Sequence, residues 1–322
     1  MKRTSKVNSA VRRFVMTIIF LSLAALTLAA CGGEQSGTTS GDGKLTITAT
    51  TGMIADIAAV VGGDRVAVTG LMGPGIDPHL YKASQGDVKK LDGADIIFYN
   101  GLHLEGKMGE IFEKLEKGKP VVAVSKDIDE SKLHGDPNAK GGATHDPHIW
   151  FNVQLWMSAV EVVRDTLKEQ DAENADYYES RAADYLTELS ELDGYAREQI
   201  ALIPEKSRIL VTAHDAFGYF GEAYGLKVLG LQGMNTMSEY GSKDVSELRD
   251  FLVDNGIKAV FIESSVSSKS IESVIEGAKK LGHEVVIGGQ LFSDAMGDPG
   301  TVEGTYIGMV KHNVDTIVAA LK

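Results

Sequence analysis

The stretch DAENADYYESRAADYLTELSELDGYAREQIALI, residues 171–203, divides the sequence into two halves and decides how they are joined. It holds a single glycine, Gly194, and the next proline is Pro204. Its apolar residues recur at steps of four and three, which draws one stripe along a helix: Tyr178, Ala182, Tyr185, Leu189, Leu192 and Ala196. A helix of this length spans roughly 45–50 Å. An ordinary surface helix is the simpler interpretation, but the length of the predicted helix favours a single long, rigid linker helix between two lobes.

Short β-branched runs alternate with amphipathic stretches on both sides of this segment. Strands are predicted at residues 44–49, 66–71, 96–100 and 121–125 in the first half, and at 209–212, 227–231, 259–263 and 285–288 in the second. Helical patterns fill the spaces, for example at residues 84–91, 153–169, 244–255 and 301–321. Such alternation is typical of parallel sheets covered by helices. We therefore expect an α/β fold with an N-terminal lobe (44–170), a linker helix (171–203) and a C-terminal lobe (204–322).

The N-terminus has the features of a secretory signal. Five basic residues precede an apolar run of 17 residues from Phe14 to Ala30, which ends in Leu-Ala-Ala before Cys31. The run is interrupted by polar residues and is marginal for a permanent membrane span. The ending resembles a bacterial lipobox, which implies cleavage before Cys31 and a lipid on its sulfur. Residues 1–30 are thus predicted to be a lipoprotein signal peptide, and the polar residues 31–43 a flexible tether with a coil span of roughly 20 Å.

Cysteine usage and charge exclude several classes of protein. Cys31 is the only cysteine, which excludes an internal disulfide, a cysteine-ligated zinc site and a thiol nucleophile. The formal net charge is −13, and removal of the basic residues 1–30 makes it about −18. A protein with this much net negative charge is not expected to bind nucleic acid or an anionic lipid surface.

Polar residues follow four of the predicted strands. The tripeptide DPH occurs twice, at residues 77–79 and 146–148, although the chain has only eight histidines. His79 and His148 follow strands of the first half, while His214 and Asp294 follow strands of the second. Since ligands bind beyond the carboxyl ends of strands in open α/β sheets, we expect these four side chains to meet between the lobes.

Three imidazoles and one carboxylate form a suitable set of ligands for Zn²⁺, and a bidentate Asp294 would make the set suit Mn²⁺ as well. A ligating histidine also needs a partner for its other ring nitrogen. Glu263, at the end of the strand AVFIE, is the candidate for that orienting role and the reserve ligand. A histidine that follows a strand is, taken singly, more often a hydrogen-bonded loop residue; four positions from two halves favour a metal site.

The remaining histidines are not predicted to be ligands. His103 is interpreted as loop packing, His134 and His145 as residues of a solvated glycine-rich loop, and His283 and His312 as surface helix residues. Scattered methionines invite a copper hypothesis, but such residues more often fill the core.

The ordered motifs of residues 44–322 resemble a known family. GIDPHLYKASQGDV, YNGLHLEGKMGE, DPHIWFNVQLW, VTAHDAFGYF, FIESS and LFSDAMGDPGTVEGTY are similar to stretches of the metal-binding lipoproteins of zinc and manganese ABC importers, the cluster A-I substrate-binding proteins, and of their treponemal branch in particular. The resemblance implies metal ligands at His79, His148, His214 and Asp294, and two α/β lobes bridged by one helix.

The resemblance also implies a cargo and partners. Histidine at the third ligand position, as in His214, accompanies zinc or mixed zinc and manganese binding in that family, and the short loop at residues 131–144 weakens a zinc-only assignment. The chain would be a monomer, anchored to membrane lipid through acylated Cys31 on the outer face of the cell membrane, or in the periplasm of a diderm host. It would deliver Zn²⁺ or Mn²⁺ to an ABC permease and its ATPase.

Two other classes of function remain as alternatives. A zinc-dependent hydrolase is disfavoured because catalytic zinc usually keeps three protein ligands and one open position. The chain also lacks HExxH, GxSxG and Walker-type motifs, so we do not expect an enzyme. A surface adhesin is compatible with a tethered body, but no residue pattern specifies a partner.

Overall fold

The computed structural model describes residues 43–135, 145–237 and 240–322. The predicted signal peptide, Cys31 and all of the tether except Gly43 lie outside the described residues. Within those residues, no helix is both long enough and apolar enough to cross a lipid bilayer.

The first half is built on one parallel sheet. Strands β1 (Leu45–Ala49), β2 (Val66–Gly70), β3 (Ile96–Tyr99) and β4 (Val121–Ala123) lie in the order β2-β1-β3-β4. Helices α1 (Gly52–Gly62), α2 (Gln85–Gly93) and α3 (Gly109–Leu115) connect them. Helix α2 begins where the sequence provides a capping box, because the Ser84 hydroxyl accepts from the Asp87 N–H and the Asp87 carboxylate accepts from the Ser84 N–H.

The second half holds two parallel strand pairs. Strand β5 (Ile209–His214) pairs with β6 (Lys227–Gln232), and β7 (Ala259–Glu263) pairs with β8 (Val286–Leu291). Strand β5 also lies beside β7, since the His214 N–H donates to the Glu263 carboxylate at 2.8 Å. The prediction of an α/β fold with parallel sheets is therefore confirmed.

The helices of the second half are α6 (Gly218–Tyr224), α7 (Ser242–Asp254), α8 (Lys269–Lys280) and α9 (Tyr306–Leu321). Helix α9 begins five residues later than predicted, because the Thr305 side chain caps it by accepting from the Gly308 N–H. It passes close to β8 at Gly289, which has a φ of 155° and where a Cβ would collide with Thr316 of the helix.

One long helix connects the two halves along the chain, and another long helix precedes it. Helix α4 spans Val153–Gln170, and α5 spans Ala175–Ile200, inside the predicted segment 171–203. With 26 residues, α5 is about 39 Å long. It is shorter than the predicted helix because a separate short turn at Ala172–Asn174 precedes it and a turn follows it.

The apolar stripe of α5 is buried against other helices. All six stripe residues are buried, and α5 packs on α4, α1 and α9. One continuous core cluster takes residues from both halves, for example Ile47 of β1, Phe220 of α6 and Ile317 of α9. The connecting helix is therefore part of a shared core rather than a free-standing rod.

Helix α9 ends at the side of the second half where the strands begin. Its last residues line a pocket of about 480 Å³ together with Ile209 and Ala259, the first residues of β5 and β7. Lys206, Lys258 and Lys322 also line this pocket.

Candidate metal centre

Four polar side chains meet at the carboxyl ends of the strands. His214 is the last residue of β5, and Asp294 comes three residues after β8 ends. His148 directly precedes the short turn Ile149–Phe151 that leads into α4. His79 lies within an irregular segment between β2 and α2, nine residues past the end of β2.

The donor atoms of these four residues all lie within 4.8 Å of one another. His79 Nε2 is 3.3 Å from His148 Nε2, and the carboxylate of Asp294 is 3.4 Å from His148 Nε2 and 3.4 Å from His214 Nε2. The Asp294 carboxylate is 3.9 Å from His79 Nε2. Tetrahedral zinc with bonds of 2.0–2.1 Å places its donors about 3.3–3.4 Å apart, which three of these four distances match, so the donor set is close to the spacing around one ion.

Burial strengthens the case for a cation. The four side chains are at most 2% exposed. Among the described residues, both carboxylate oxygens of Asp294 and His214 Nε2 have no hydrogen-bond partner. A buried polar atom without a partner is costly, and a divalent cation would satisfy all of these atoms at once.

Carboxylates lie behind two of the histidines. His148 Nδ1 donates to Asp146 Oδ1 at 2.6 Å, and His214 Nδ1 contacts Glu263 Oε2. Burial alone would lower the pKa of His148, but Asp146 and Asp294 raise it to about 9. Burial likewise opposes protonation of His214, yet Glu263 and Asp294 hold its pKa well above the usual value. These carboxylates lie at Nδ1 of each ring, so Nε2 is the atom that faces the other donors and becomes available to a metal once its proton is lost.

His79 differs from the other two histidines. Among the described residues, its Nδ1 has neither a hydrogen-bond partner nor a carboxylate beside it, whereas His214 Nδ1 contacts Glu263. Burial lowers the pKa of His79 to about 3, and the nearby Asp294 only partly opposes this shift. The ring is therefore neutral at physiological pH.

The two DPH tripeptides share one local structure. The carboxylate of Asp77 accepts from the His79 N–H at 2.8 Å, and that of Asp146 accepts from the His148 N–H at 3.0 Å. Each aspartate thus fixes the backbone of the histidine two residues later. Neither aspartate was assigned a role from the sequence, although the repeated tripeptide was the signal for it.

Hydrogen bonds between the halves hold residues 146–150, which include His148, in place. Trp150 Nε1 donates to the carbonyl of Ser293, which precedes Asp294, at 2.9 Å. The Tyr306 hydroxyl donates to the Trp150 carbonyl at 2.7 Å, and the Tyr219 hydroxyl donates to the Asp146 carbonyl at 2.9 Å. These contacts were not predicted from the sequence.

The other predicted residues lie outside the donor set. Glu263 lies behind His214 and not among the four donors. His103, with a φ of 63°, lines a separate pocket, and His134 stacks on Tyr219. Three further histidines contact other groups: His145 lies near Glu130, while His283 and His312 donate to the carbonyls of Ile257 and Gln290. Cys31 lies outside the described residues.

Residues 47–320 match the family model described as zinc-uptake complex component A, periplasmic. The chain belongs to this family.

Two curated proteins are similar to the chain over most of its length. A protein of Bacillus subtilis named manganese-binding lipoprotein MntA is 53% identical over 311 residues, which is 97% of this chain and 100% of that protein. The zinc-binding protein TroA of Treponema pallidum is 49% identical over 280 residues, covering 87% of this chain and 90% of the relative.

Solved structures agree with the architecture of this family member. The periplasmic zinc-binding protein TroA superimposes with a TM-score of 0.83 and covers 87% of this chain and 99% of its own. A manganese-bound periplasmic metal-binding protein of Candidatus Liberibacter asiaticus, 26% identical, gives a TM-score of 0.75 over 87% of this chain and 100% of its own.

Proposed function

We propose that this chain is an extracytoplasmic substrate-binding protein that captures Zn²⁺ or Mn²⁺ and delivers it to an ABC permease and its ATPase. The ion is cargo, held by His79, His148, His214 and Asp294. The observation that supports this most strongly is the buried set of four donors at the spacing of a single metal ion. The names of the relatives, which include both zinc-binding and manganese-binding proteins, support the choice of ions.

The donor set argues for transport rather than catalysis. Four protein ligands fill a tetrahedral site, whereas a hydrolytic zinc needs an open position for water. The alternative of a zinc-dependent hydrolase is therefore disfavoured.

Intrinsic affinity does not decide the physiological ion. The Irving–Williams order favours Zn²⁺ over Mn²⁺ at a site with three imidazoles. Metal analysis of protein purified from the native host, together with uptake of both ions in a deletion strain, would identify the cargo in the cell.

The direct test is a competition titration against a chromophoric chelator. Replacing any one of the four donors, including His79, with alanine removes a ligand, and we expect each change to weaken Zn²⁺ binding at least tenfold. His283→Ala and His312→Ala serve as matched controls and should retain the wild-type affinity. Wild-type affinity in a variant of the donor set would remove that residue from the proposed site.

We further propose that a lipid on Cys31 anchors the protein as a monomer to the outer face of the membrane. The lipobox-like ending at Leu28-Ala29-Ala30 and the lipoprotein names of relatives support this. Cys31→Ala should shift the protein from the detergent phase to the aqueous phase in a partitioning experiment, because no other cysteine can accept the lipid. A variant that stays in the detergent phase would refute the anchor.

A further inference from the structure

The four donors are not held equally. We define the His79 arm as residues 71–84, which contain no helix or strand. By contrast, His214 is the last residue of β5, His148 lies beside the turn that leads into α4, and Asp294 lies three residues after β8. His148 and His214 each have a carboxylate at the second ring nitrogen, whereas His79 has no such partner among the described residues.

The His79 arm approaches the second half at two points. The Thr236 hydroxyl donates to Asp77 Oδ2 at 2.6 Å. Near Gly75, a Cβ would come within 3.4 Å of the Ser264 carbonyl oxygen, so the backbones pass closely there. Because Asp77 Oδ1 accepts from the His79 N–H at 2.8 Å, a single carboxylate links Thr236 to the backbone of His79.

Thr236 lies at the other end of this link, four residues past the end of β6. Its side chain is buried, and its carbonyl accepts from the side-chain amide of Gln232, the last residue of β6. The arm carries the exposed side chains of Ile76 and Leu80 on either side of Asp77 and His79. If the link breaks, the arm loses the hydrogen bond that joins Asp77 to the second half.

We propose that Thr236 is a positioning residue that holds the His79 arm closed through Asp77, and that this link sets the rate at which the metal ion leaves. This inference rests on the proposed function. His79 is the first ligand to detach, while His148, His214 and Asp294 keep their positions. The link thus acts on release of the cargo rather than on its capture.

The test measures dissociation of Zn²⁺ by mixing the loaded protein with excess chelator in a stopped-flow instrument. Thr236→Val removes the hydroxyl with little change of shape, and we expect release to become about tenfold faster, equivalent to ~1.4 kcal/mol. Association should change by less than about twofold. Thr236→Ser keeps the hydroxyl and should restore slow release. Amide exchange should rise at residues 76–80 in the valine variant alone.

Thr166→Val is the matched control. Thr166 is also a buried threonine, but its hydroxyl donates to the Val162 carbonyl within α4, away from the donor set. Equal release rates in Thr236→Val, Thr236→Ala and the wild type would overturn the inference, as would equally fast release in the control. If the wild type binds neither Zn²⁺ nor Mn²⁺, the proposed function itself fails, which is a different result from normal binding with unaltered release.

Discussion

The carboxylates behind His148 and His214 add negative charge to a donor set that already contains Asp294. An orienting carboxylate fixes the ring and raises the basicity of the ligand, and its loss typically costs 10–100-fold in metal affinity. We therefore expect metal affinity to depend also on residues outside the donor set.

We expect Asp146→Asn to weaken Zn²⁺ binding by roughly 10–100-fold, because the amide keeps an acceptor for the His148 N–H but loses the charge that supports the ring. Competition titration measures this effect. Glu222→Gln is the matched control, since Glu222 contacts His134 outside the donor set. Equal effects of the two substitutions would show that general surface charge, not orientation, is responsible.

The pH dependence of binding should reveal the difference between the histidines. His148 has a pKa of about 9 and the pKa of His214 is also raised. Both rings are therefore positively charged, with a proton on each nitrogen, at neutral pH before the metal binds. The pKa of His79 is about 3, so this ring has already lost its proton. Metal binding must displace two protons, and affinity should rise with pH up to about the pKa of His148.

The measurement is the slope of log K for Zn²⁺ against pH between about 5 and 8, where the shifted pKa values lead us to expect a value near two. A slope of three near pH 5–6 would mean that His79 titrates as an ordinary histidine.

At the scale of elements, α5 decides how the halves can move. Its buried stripe contacts helices of both halves, so that bending it would break backbone hydrogen bonds and expose core side chains at the same time. A helix placed in this way couples the unfolding of the two halves.

Leu189→Ala should destabilise the protein by roughly 2–5 kcal/mol, because Leu189 is fully buried in the shared core. Leu202→Ala is the matched control, since Leu202 is 48% exposed and should change stability by less than about 0.5 kcal/mol. Urea unfolding followed by circular dichroism and by tryptophan fluorescence gives the free energies. Two separated transitions in Leu189→Ala would mean that the halves do not share one cooperative core.

Periodicity and strand order predicted much of this structure. The apolar stripe of α5 could be predicted because the residues on the buried face of a helix recur every three to four positions. The positions of His214 and Asp294 could be predicted because parallel strands end at one edge of a sheet. The link from Asp146 to His148 was not predicted, although the two residues stand in the repeated tripeptide DPH. The link from Thr236 to Asp77 could not be predicted, since it depends on loop conformation and joins residues 159 positions apart. The apolar stripe of α5 was predicted from the sequence, but the helices α1, α4 and α9 that cover it were not.

At the scale of the whole molecule, binding should change stability more than shape. An ion that binds only the folded state adds about 4 kcal/mol of stability at a thousandfold excess over Kd. Because α5 is embedded in the shared core, we expect the radius of gyration to stay nearly constant while amide exchange slows around His79 and Asp294. Small-angle scattering and hydrogen exchange on metal-free and loaded protein would check this, and a large compaction would contradict it.

The basic pocket at the amino ends of β5 and β7 offers a site for labelling. Lys258 is exposed there, whereas the donor set lies at the carboxyl ends of the same strands, roughly 17–20 Å away along a strand of five or six residues. Since Cys31 is the only cysteine, a chain begun after it and carrying Lys258→Cys would hold one thiol. Coupled to an electrode through that thiol, the protein would turn its ion-binding end toward the solution and work as an oriented sensor of divalent metal.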